Sequence, residues 1–331
     1  MRLVQLHRGS QRRLAVVEEP ALRPLAGYST LLELAKAALE ERSSLVALAG
    51  YSLGEERLDY DAVYTGASDW RLLPPVDHTE APARLLVSGT GLTHRASAEN
   101  RQAMHAAGSA LTDSMRMYQW GEQGGRPTPG QVGIAPEWFY KWNGAILRAH
   151  LDALAVPAFA EDGGEEPEIA GIYLIDPAGV PRRIGMATGN EFSDHAFERR
   201  NYLNLAGSKL RNCALGPEIG LTPDFSDVSG RVAIYRDGAV LWEKPIRTGE
   251  AAMCHSLANL EHHHFKFDQH RCPGDLHVHF YGASAFSFGA GIALRVGDWM
   301  EVEWSGFGRS LRNPLQIEAS PCRPVIVQEF A

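Results

Sequence analysis

Acidic side chains cluster in one stretch of this chain, between residues 165 and 191. Glu166 and Glu168 stand two residues apart in the run EEPEIAGIYLID, and Glu191 follows Asn190 in RRIGMATGNEFSDH. Because side chains at i and i+2 of a strand point to the same face, Glu166 and Glu168 can direct their oxygens to a common point. Half-buried carboxylates raise each other's pKa unless a cation compensates them. The spacing therefore indicates a divalent-metal site, with Glu191 as the third ligand.

The donor type limits the choice of metal. Carboxylate oxygens are hard ligands that suit Mg²⁺, Mn²⁺ or Ca²⁺ better than zinc. The alternative is that EDGGEEPE forms an acidic, solvated turn leading into a strand. A lone Lys209 precedes a Gly-Pro turn in GSKLRNCALGP, and an isolated lysine is most often a solvated surface side chain.

Composition excludes several classes of function. The chain has 331 residues, 44% of them hydrophobic, which is enough for one large domain or two. The formal net charge is −8, and no run of Lys and Arg is flanked by aromatic residues. We therefore expect a small-molecule ligand and neither a nucleic-acid nor a membrane partner.

The N-terminal sequence and the cysteines indicate the compartment. The run MRLVQLHRGSQRRLAVVEE lacks an apolar segment and a small-residue cleavage site, and no window holds 18 uninterrupted apolar residues. The four cysteines are scattered without Cys-x-x-Cys spacing, which predicts reduced thiols. We expect a cytoplasmic protein.

Two units are predicted along the chain. Residues 1–80 combine the strand-like LAVVEE with the helical run STLLELAKAALEERSS, in which Ser29 or Thr30 is the expected N-cap. The prolines of RLLPPVDHTEAPA predict a linker. Residues 81–331 contain short alternating apolar runs, and Asp237-Gly238 is typical of a hairpin turn. The predicted class is α+β and β-rich, with a small N-terminal α/β domain before a larger domain.

A further group of motifs lies far from the acids. The runs PGDLHVHFYGAS and RVGDWMEVEWSGFGRSLRNPL resemble the closing pattern of the fumarylacetoacetate hydrolase superfamily. There, a Pro-Gly-Asp strand ends in a glycine-containing substrate loop, and a second Gly-Asp strand closes with Leu-Arg-Asn. The matching residues of the second strand are Gly297, Asp298, Glu301, Val302, Glu303, Gly306, Gly308, Leu311, Arg312 and Asn313. The resemblance covers residues 84–315 and implies a mixed β-roll/sandwich catalytic domain and a homodimer.

Upstream segments carry the same resemblance and imply the site residues. PEWFYKWNGAI resembles the family's Pro-x-x-Phe-x-Lys segment, and GNEFSD stands where the family has Asn-Asp-x-Ser/Thr, so that Glu191 replaces an aspartate. The family's Thr-Gly-Thr substrate loop is replaced here by Tyr281-Gly282-Ala283-Ser284, in which Ser284 can supply the hydroxyl one position later. The implied metal ligands are Glu166, Glu168 and Glu191, and the implied substrate contacts are Lys141, Asn190, Gly282 and Ser284.

The family acts on 2-oxo acids, and one loop separates its reactions. A metal that chelates the carboxylate and the adjacent carbonyl oxygen acidifies the C3 proton or stabilises an enolate leaving group. Hydrolases of the family activate water with a His and a Glu in Gly-x-Asn-Tyr-x-x-His-x-x-Glu. In the corresponding loop here, GLTHRASAEN, Ser97 stands in the histidine position and Asn100 in the glutamate position. A positioned proton acceptor contributes roughly 10² to 10⁴ in rate, so its absence argues against hydrolysis.

In lacking this histidine, the loop resembles that of the superfamily branch that dehydrates 2-keto-3-deoxy-pentonates. The resemblance implies metal-dependent conversion of such an acid, of the D-arabinonate- or D-xylonate-derived isomer, to 2,5-dioxopentanoate in non-phosphorylative sugar catabolism. Lys209 or Glu99 is the predicted base for the C3 proton, and Ser97 and His94 are predicted to assist the departing hydroxyl. Ser97 is also a good N-cap for the helix that follows.

Three other functions stay open. A C–C bond hydrolase of an acylpyruvate or 2,4-dioxo sugar acid requires a displaced His–Glu pair near the metal. A non-catalytic sugar-acid binding protein requires the ligand site without turnover, and a Schiff-base aldolase requires a reactive Lys209. Outside the site, His277 and His279 share a strand face, and without a third ligand we expect them to line the core or a pocket.

Overall fold

The computed structural model describes residues 1–105 and 111–330. The strands are β1 (Arg2–Arg8), β2 (Gln11–Glu18), β3 (Ala21–Pro24), β4 (Leu58–Asp59), β5 (Arg71–Leu72), β6 (Leu85–Gly91), β7 (Glu137–Asn143), β8 (Leu147–Arg148), β9 (Leu154–Val156), β10 (Pro167–Ile175), β11 (Pro181–Asn190), β12 (Cys213–Gly220), β13 (Val228–Arg236), β14 (Ala239–Thr248), β15 (Leu276–Phe280), β16 (Trp299–Trp304) and β17 (Leu311–Ile317). The helices are α1 (Leu31–Glu40), α2 (Leu45–Tyr51), α3 (Tyr60–Tyr64), α4 (Arg95–His105), α5 (Asp113–Gly124), α6 (His195–Arg200), α7 (Leu205–Lys209) and α8 (Leu257–Phe265). The strand-rich α+β class predicted from the sequence is confirmed.

A 12-stranded sheet carries most of the core. Its main path runs β4-β3-β2-β1-β12-β11-β10-β15-β6-β7, and β10 lies antiparallel to both β11 and β15. Every residue of β10 is buried, which explains its almost uninterrupted apolar sequence after Glu168. The central position of β10 and β11 fixes the backbone of the acidic residues at their ends.

A second sheet of five strands, β14-β13-β16-β17-β9, packs beside the first. Met186 and Ile169 of the large sheet share a hydrophobic cluster with Val232 and Val302 of the small one. Trp304 joins the two layers, because its indole N–H donates to the carbonyl of Glu168 at 3.0 Å. The contact holds the start of β10 against the second sheet.

Two local predictions from the sequence are confirmed. Thr30 is the N-cap of α1, and Glu33 completes a capping box with it. The hairpin between β13 and β14 turns at Asp237 and Gly238, whose φ angles are 52° and 79°. Positive φ at both central residues matches the twist of the flanking strands, and Asp-Gly tolerates it.

The first 80 residues do not form a sheet of their own. β1 pairs with β12 through Leu3 and Ile219, so that β1 to β4 extend the large sheet. α1 and α2 pack on this sheet, and Leu31 and Leu34 belong to the same core cluster as Val278 of β15. A separate small N-terminal domain is therefore not confirmed, and the boundary at residue 80 stays a prediction. Within the described ranges, no helix combines the length and apolarity needed to cross a bilayer.

Candidate metal centre

Three glutamates meet at the ends of β10 and β11. Glu166 precedes β10, Glu168 is its second residue, and Glu191 follows β11. One carboxylate oxygen of each lies within 4.8 Å of the others, and all three side chains are buried. The backbone N–H of Glu191 donates to the carbonyl of Glu166 at 2.9 Å, which joins the two strand ends. The structure thus brings together the three residues that the sequence predicts as metal ligands.

The charges of these glutamates are unequally compensated. Burial, together with the charges of Glu191 and Glu166, holds the pKa of Glu168 well above its ordinary value. Burial also raises the pKa of Glu191 against the lowering effect of Lys141 and Lys209. Burial acts in the same direction on Glu166, but the charges and hydrogen bonds of Lys209 and His195 together outweigh it and bring the pKa of Glu166 well below its ordinary value. The lysines therefore leave part of the negative charge of the three glutamates uncompensated, and a further cation would stabilise the cluster.

Lys209 lies between two of the carboxylates. Its Nζ donates to Glu166 Oε1 at 2.5 Å, to Glu191 Oε2 and to Ser193 Oγ at 3.0 Å, and the side chain is fully buried. Burial lowers the pKa of Lys209, but the charges of Glu166 and Glu191 reverse this effect and raise it. In this geometry Lys209 is an ammonium that donates three hydrogen bonds.

Lys141 supports a single ligand. From β7 its Nζ donates to the carbonyl oxygens of Glu191 at 2.7 Å and Phe192 at 3.0 Å, and also to Glu191 Oε1. An ammonium has three donors, and all of them are used here. Lys141 therefore positions Glu191, and its predicted substrate contact stays a prediction.

Asn190 also serves the ligands rather than the substrate. Its Oδ1 accepts the backbone N–H groups of Glu166 at 3.2 Å and Phe192 at 3.3 Å. Its Nδ2 faces the sulfur of Met300 at 3.7 Å. This buried amide ties the two ligand-bearing strand ends together, so the geometry does not support the predicted substrate contact of Asn190.

His195 contacts the cluster, although the sequence reasoning missed it. Its Nε2 lies 3.1 Å from Glu166 Oε1, and its ring stacks on Phe286 with 4.8 Å between ring centroids. Burial lowers the pKa of His195, but the hydrogen bond to Glu166 and the charge of Glu166 raise it overall. The buried Nδ1 has no hydrogen-bond partner. The sequence did offer one indication: His195 stands four residues after Glu191, directly after the GNEFSD segment that carries this predicted ligand.

A small cavity opens beside Glu166 and His195. It is lined by Arg101, Glu166, His195, Glu198 and Phe286. Arg101 is buried and forms ion pairs with Glu198 at 2.8 Å and Glu137 at 2.7 Å. Arg101, Glu137 and Glu198 were not predicted from the sequence, because they come from three separate elements that meet only in the fold.

The substrate loop predicted at residues 281–284 borders the cluster. The backbone N–H of Gly282 donates to Glu168 Oε2 at 2.6 Å. Gly282 has φ 101°, and a Cβ there would lie 2.0 Å from Thr93 Oγ1, so this approach requires glycine. Among residues 1–105 and 111–330, the buried Oγ of Ser284 finds no hydrogen-bond partner. An unpaired buried hydroxyl is available to a ligand.

Comparisons with known proteins agree with this architecture. No family model and no curated protein matches the chain. Among solved structures, 2-keto-3-deoxyarabinonate dehydratase matches with a TM-score of 0.72 and 19% identity, over 97% of this chain and 100% of that one. The D-arabinonate enzyme complexed with magnesium and 2,5-dioxopentanoate gives a TM-score of 0.71 at 19% identity, with the same coverage. A 5-carboxymethyl-2-hydroxymuconate delta-isomerase from Mycobacterium smegmatis gives 0.57 at 17% identity, over 96% of this chain and 100% of that one.

The chain has a fumarylacetoacetate hydrolase-like fold. The resemblance seen in the sequence is thus confirmed at the level of the fold. The identities, all below 20%, leave substrate and reaction to be argued from the site itself.

The residues of the cluster fit a divalent cation. Mg²⁺ and Ca²⁺ bind oxygen ligands at about 2.0 to 2.6 Å, so two ligands of one ion lie at most about 5 Å apart. The three carboxylate oxygens satisfy this limit, and no sulfur donor lies among them. Burial and mutual repulsion raise the pKa of Glu168 in the absence of a cation, as expected where a metal normally supplies the charge. Glu166, Glu168 and Glu191 would hold the ion.

The loop at 91–100 differs from its prediction. α4 begins at Arg95, so the expectation that Ser97 is its N-cap is wrong. Ser97 is buried one turn before Arg101 on the same helix, and residues four apart share a helix face. Ser97 thus lies on the helix face that carries Arg101, and its part in the reaction stays a prediction.

Glu99 and His94 do not reach the carboxylate cluster. Glu99 is exposed and pairs with Arg95 at 2.9 Å, so the structure does not support it as the base. His94 is buried, and its nitrogens meet Thr93 Oγ1 at 2.9 Å and Thr248 Oγ1 at 3.1 Å. Burial lowers the pKa of His94 to about 4. A neutral His94 held by two hydroxyls orients the substrate loop, since Thr93 Oγ1 also donates to the carbonyl of Tyr281 at 2.7 Å.

A second polar cluster lies under α8. His277 and His279 line the core as expected, and they meet His264 of α8. The indole N–H of Trp138 donates to His264 Nδ1 at 3.2 Å, and Nε2 of His264 lies 3.0 Å from Nδ1 of His277. Nδ1 and Nε2 of His279 lie 2.9 Å and 2.7 Å from the hydroxyls of Ser88 and Thr90. Burial lowers the pKa of His277 and of His279 to about 3.

We expect this cluster to make the protein acid-sensitive. A histidine whose pKa is lowered on folding stabilises the fold above its unfolded pKa, near 6.5, and loses that effect as the pH falls toward 3. Each such histidine contributes about 1.4 kcal/mol per pH unit in this window. The variant His279→Asn keeps hydrogen-bonding groups without titrating, so its unfolding free energy should fall less steeply between pH 6 and pH 4. Urea unfolding across that range measures the slope, with His262→Asn, an exposed change on α8, as control. Equal slopes for His279→Asn and wild type would contradict this prediction.

Proposed function

We propose that this protein is a Mg²⁺-dependent dehydratase of a 2-keto-3-deoxy-pentonate, of the D-arabinonate- or D-xylonate-derived isomer. The product is 2,5-dioxopentanoate, in non-phosphorylative sugar catabolism and in the cytoplasm. The observation that carries the proposal is the buried set of Glu166, Glu168 and Glu191 with Lys209. A solved structure of the same fold contains magnesium and 2,5-dioxopentanoate, which supports the choice of substrate. We also expect a homodimer, and Mn²⁺ or Ca²⁺ as possible substitutes for Mg²⁺.

Different side chains of the site have separate roles in the proposed dehydration. A divalent cation on the three glutamates would supply Lewis-acid polarisation of the 2-oxo acid. Ser284 Oγ, buried and unpaired, binds the substrate carboxylate together with the Gly282 region of the loop. Lys209, as an ammonium, gives a proton to the hydroxyl that leaves C4 as water. This assignment makes Lys209 an acid instead of the base first predicted.

The C3 proton then needs a separate acceptor. Glu198 lines the cavity beside Glu166 and His195, and Arg101 holds both Glu198 and Glu137 by ion pairs. We assign the proton from C3 to this carboxylate pair. Loss of that proton and of the C4 hydroxyl, as one water, leaves a 5-hydroxy enone with a C3=C4 double bond. A shift of a proton from C5 to C3 converts it to the C4=C5 enol, which ketonises to the dioxo product.

Product analysis tests the proposal. The 2-keto-3-deoxy-D-pentonate and its L isomer are incubated with Mg²⁺-loaded protein and with an EDTA-treated control. The masses of the products are then measured by mass spectrometry. Metal-dependent loss of one water from one isomer is the expected result. Unchanged substrate, with thermal stabilisation of the protein by the acid, would replace the proposal with a binding protein. Borohydride-trapped substrate on Lys209, insensitive to EDTA, would replace it with an aldolase.

One observation favours a second candidate, a C–C bond hydrolase of an acylpyruvate or 2,4-dioxo sugar acid. His195 lies 3.1 Å from Glu166, which is the kind of displaced His–Glu pair that water activation requires. Incubation of acetylpyruvate with the Mg²⁺-loaded protein distinguishes the two reactions. Cleavage into two acids, lost in His195→Ala, would establish the hydrolase. Dehydration of the pentonate without acetylpyruvate cleavage favours the dehydratase.

Ser284→Ala should weaken substrate binding with little change in stability. The Ser284 Oγ has no protein partner, so its removal breaks no hydrogen bond in the fold. Loss of one hydrogen bond to a charged carboxylate costs about 1.5 to 3 kcal/mol, so KM should rise about 10- to 100-fold. Steady-state kinetics and a thermal melt check both statements. Ser287→Ala is the matched control: Ser287 Oγ donates to Glu165 at 2.8 Å, so this change should lower the melting temperature.

A further inference from the structure

β7 presents an aromatic surface opposite the metal centre. Its inward side chains include Glu137 and Lys141, whereas Trp138, Tyr140 and Trp142 lie toward the other face and are 38%, 37% and 52% exposed. Trp138 is in part covered, because its indole contacts His264. We call these three residues the aromatic stripe. β7 is the last strand of the large sheet, so in the described part of the chain its outer edge has no strand partner. Aromatic side chains on an open edge are typical of a surface that another chain covers.

The segment 318–330 is apolar and makes few contacts. It contains no helix or strand. Val325, Ile326, Val327 and Phe330 are 93%, 80%, 90% and 106% exposed. In an extended chain Val325 and Val327 point to one face, and β-branched residues favour strands. The segment thus has the composition of a strand whose partner is missing.

The segment leaves the protein beside the aromatic stripe. The backbone N–H of Glu318 donates to the carbonyl of Val156 at 3.0 Å, at the end of β9. Glu318 and Trp142 line the same surface cavity, of about 250 Å³, together with Pro157 and Leu210. The twelve residues beyond Glu318 can span about 40 Å when extended. That length is enough to follow the whole of β7, which has seven residues.

We propose that the segment 318–330 of one copy of this chain covers the aromatic stripe of a second copy. Val325 and Val327 pack on Trp142 and Tyr140, and the backbone of the segment adds a strand to the open edge of β7. A twofold axis makes the exchange reciprocal, so that both stripes and both segments are covered in one dimer. Addition of an extended segment to a sheet edge is an established mode of recognition.

The exposure of the segment leaves it available to a second copy of the chain. With 80% or more of Val325, Ile326 and Val327 exposed, the segment lies clear of its own body, while the stripe of the same protomer stays open. Both surfaces are apolar, and each lacks the cover that the other can supply. Because the inner face of β7 carries Lys141, the interface borders the strand that positions Glu191.

Cross-linking between two differently labelled chains tests the exchange. In a background of Cys272→Ser and Cys322→Ser, which removes the two exposed thiols, one chain carries Trp142→Cys and the other Val327→Cys. Mild oxidation of the mixture should give a covalent dimer with one chain of each kind. The pairing of Val240→Cys with Val327→Cys should stay uncoupled, since Val240 lies on β14 at the opposite edge of the small sheet. A disulfide that forms only within one chain carrying both Trp142→Cys and Val327→Cys would overturn the proposal, as would the absence of any cross-link.

Sedimentation of uncross-linked protein gives an independent test. The double variant Val325→Asp, Val327→Asp should weaken dimer formation about 100-fold, taking about tenfold for each buried interface residue. The far-ultraviolet circular dichroism should not change, because both side chains are exposed in the protomer. Val240→Asp, an exposed valine on β14, is the control and should leave the dimer intact. A monomeric wild type, or a dimer that dissociates only with Val240→Asp, would overturn the proposal.

Discussion

Replacing Glu168 by glutamine should lower the dehydration rate by about 10³-fold and abolish its dependence on Mg²⁺. Glu168 is one of three buried carboxylates with oxygens within 4.8 Å of one another. Lewis-acid assistance supplies several kcal/mol, and each 1.36 kcal/mol is tenfold in rate. The amide keeps the size of the side chain and can still accept from the Gly282 N–H. The loss therefore reports on charge and metal binding rather than on packing.

The same substitution should have the opposite effect on the metal-free fold. Burial and the charges of Glu191 and Glu166 raise the pKa of Glu168, so its ionised form opposes folding above that pKa. Glu168→Gln removes this repulsion, and the metal-free variant should be more stable than wild type at pH 8. Thermal melts with EDTA and with excess MgCl₂ measure both effects. Ligand at 100 times its Kd stabilises wild type by about 2.7 kcal/mol, and the variant should show no such gain.

Glu218→Gln provides the matched control for Glu168→Gln. Glu218 is also fully buried in the large sheet, but it bonds to Tyr60 at 2.8 Å and to the backbone of Arg309 at 3.0 Å. Its substitution should lower stability equally with and without MgCl₂, because it touches no metal ligand. If Glu168→Gln behaves in the same way, Glu168 is not a ligand and the proposed centre is wrong.

Local patterns in the sequence predicted the elements that carry the ligands. The spacing of Glu166 and Glu168 depends only on strand periodicity, and Asp237-Gly238 depends only on the φ angles of a tight turn. Likewise, the capping box of Thr30 and Glu33 is formed by residues three apart. Interactions of this kind depend only on residues close together in the sequence, so they can be predicted from a single sequence.

Contacts between distant elements were not predictable in the same way. His195 meets Glu166 because α6 packs against the start of β10, and Lys141 reaches Glu191 across 50 residues of sequence. The sequence placed Lys141 and Asn190 near the site but could not show that their donors and acceptors are already used by the protein. Satisfaction of buried polar groups is a property of the packed fold.

Lys209→Met should inactivate the protein and destabilise its metal-free form. Lys209 is fully buried and pairs with Glu166 and Glu191. Removing one partner of a buried ion pair costs about 3 to 5 kcal/mol, because the remaining charges are left uncompensated. Loss of a positioned proton donor should lower kcat about 10²- to 10⁴-fold. Urea unfolding with EDTA and steady-state kinetics with MgCl₂ measure the two losses.

Lys141→Met separates proton transfer from support of the ligands. Both lysines donate three hydrogen bonds within the protein, but Lys141 contacts only one of the three ligands, Glu191, whereas Lys209 contacts both Glu166 and Glu191. Loss of a group that orients a ligand typically weakens metal binding about 10- to 100-fold, so saturating MgCl₂ should restore most of the activity of Lys141→Met. The same addition should stabilise Lys209→Met without restoring its kcat, because the proton donor is still missing. Recovery of Lys209→Met at saturating MgCl₂ would show that Lys209 only compensates charge. The proton would then have to come from another group, and His195, which contacts Glu166, would be the next candidate.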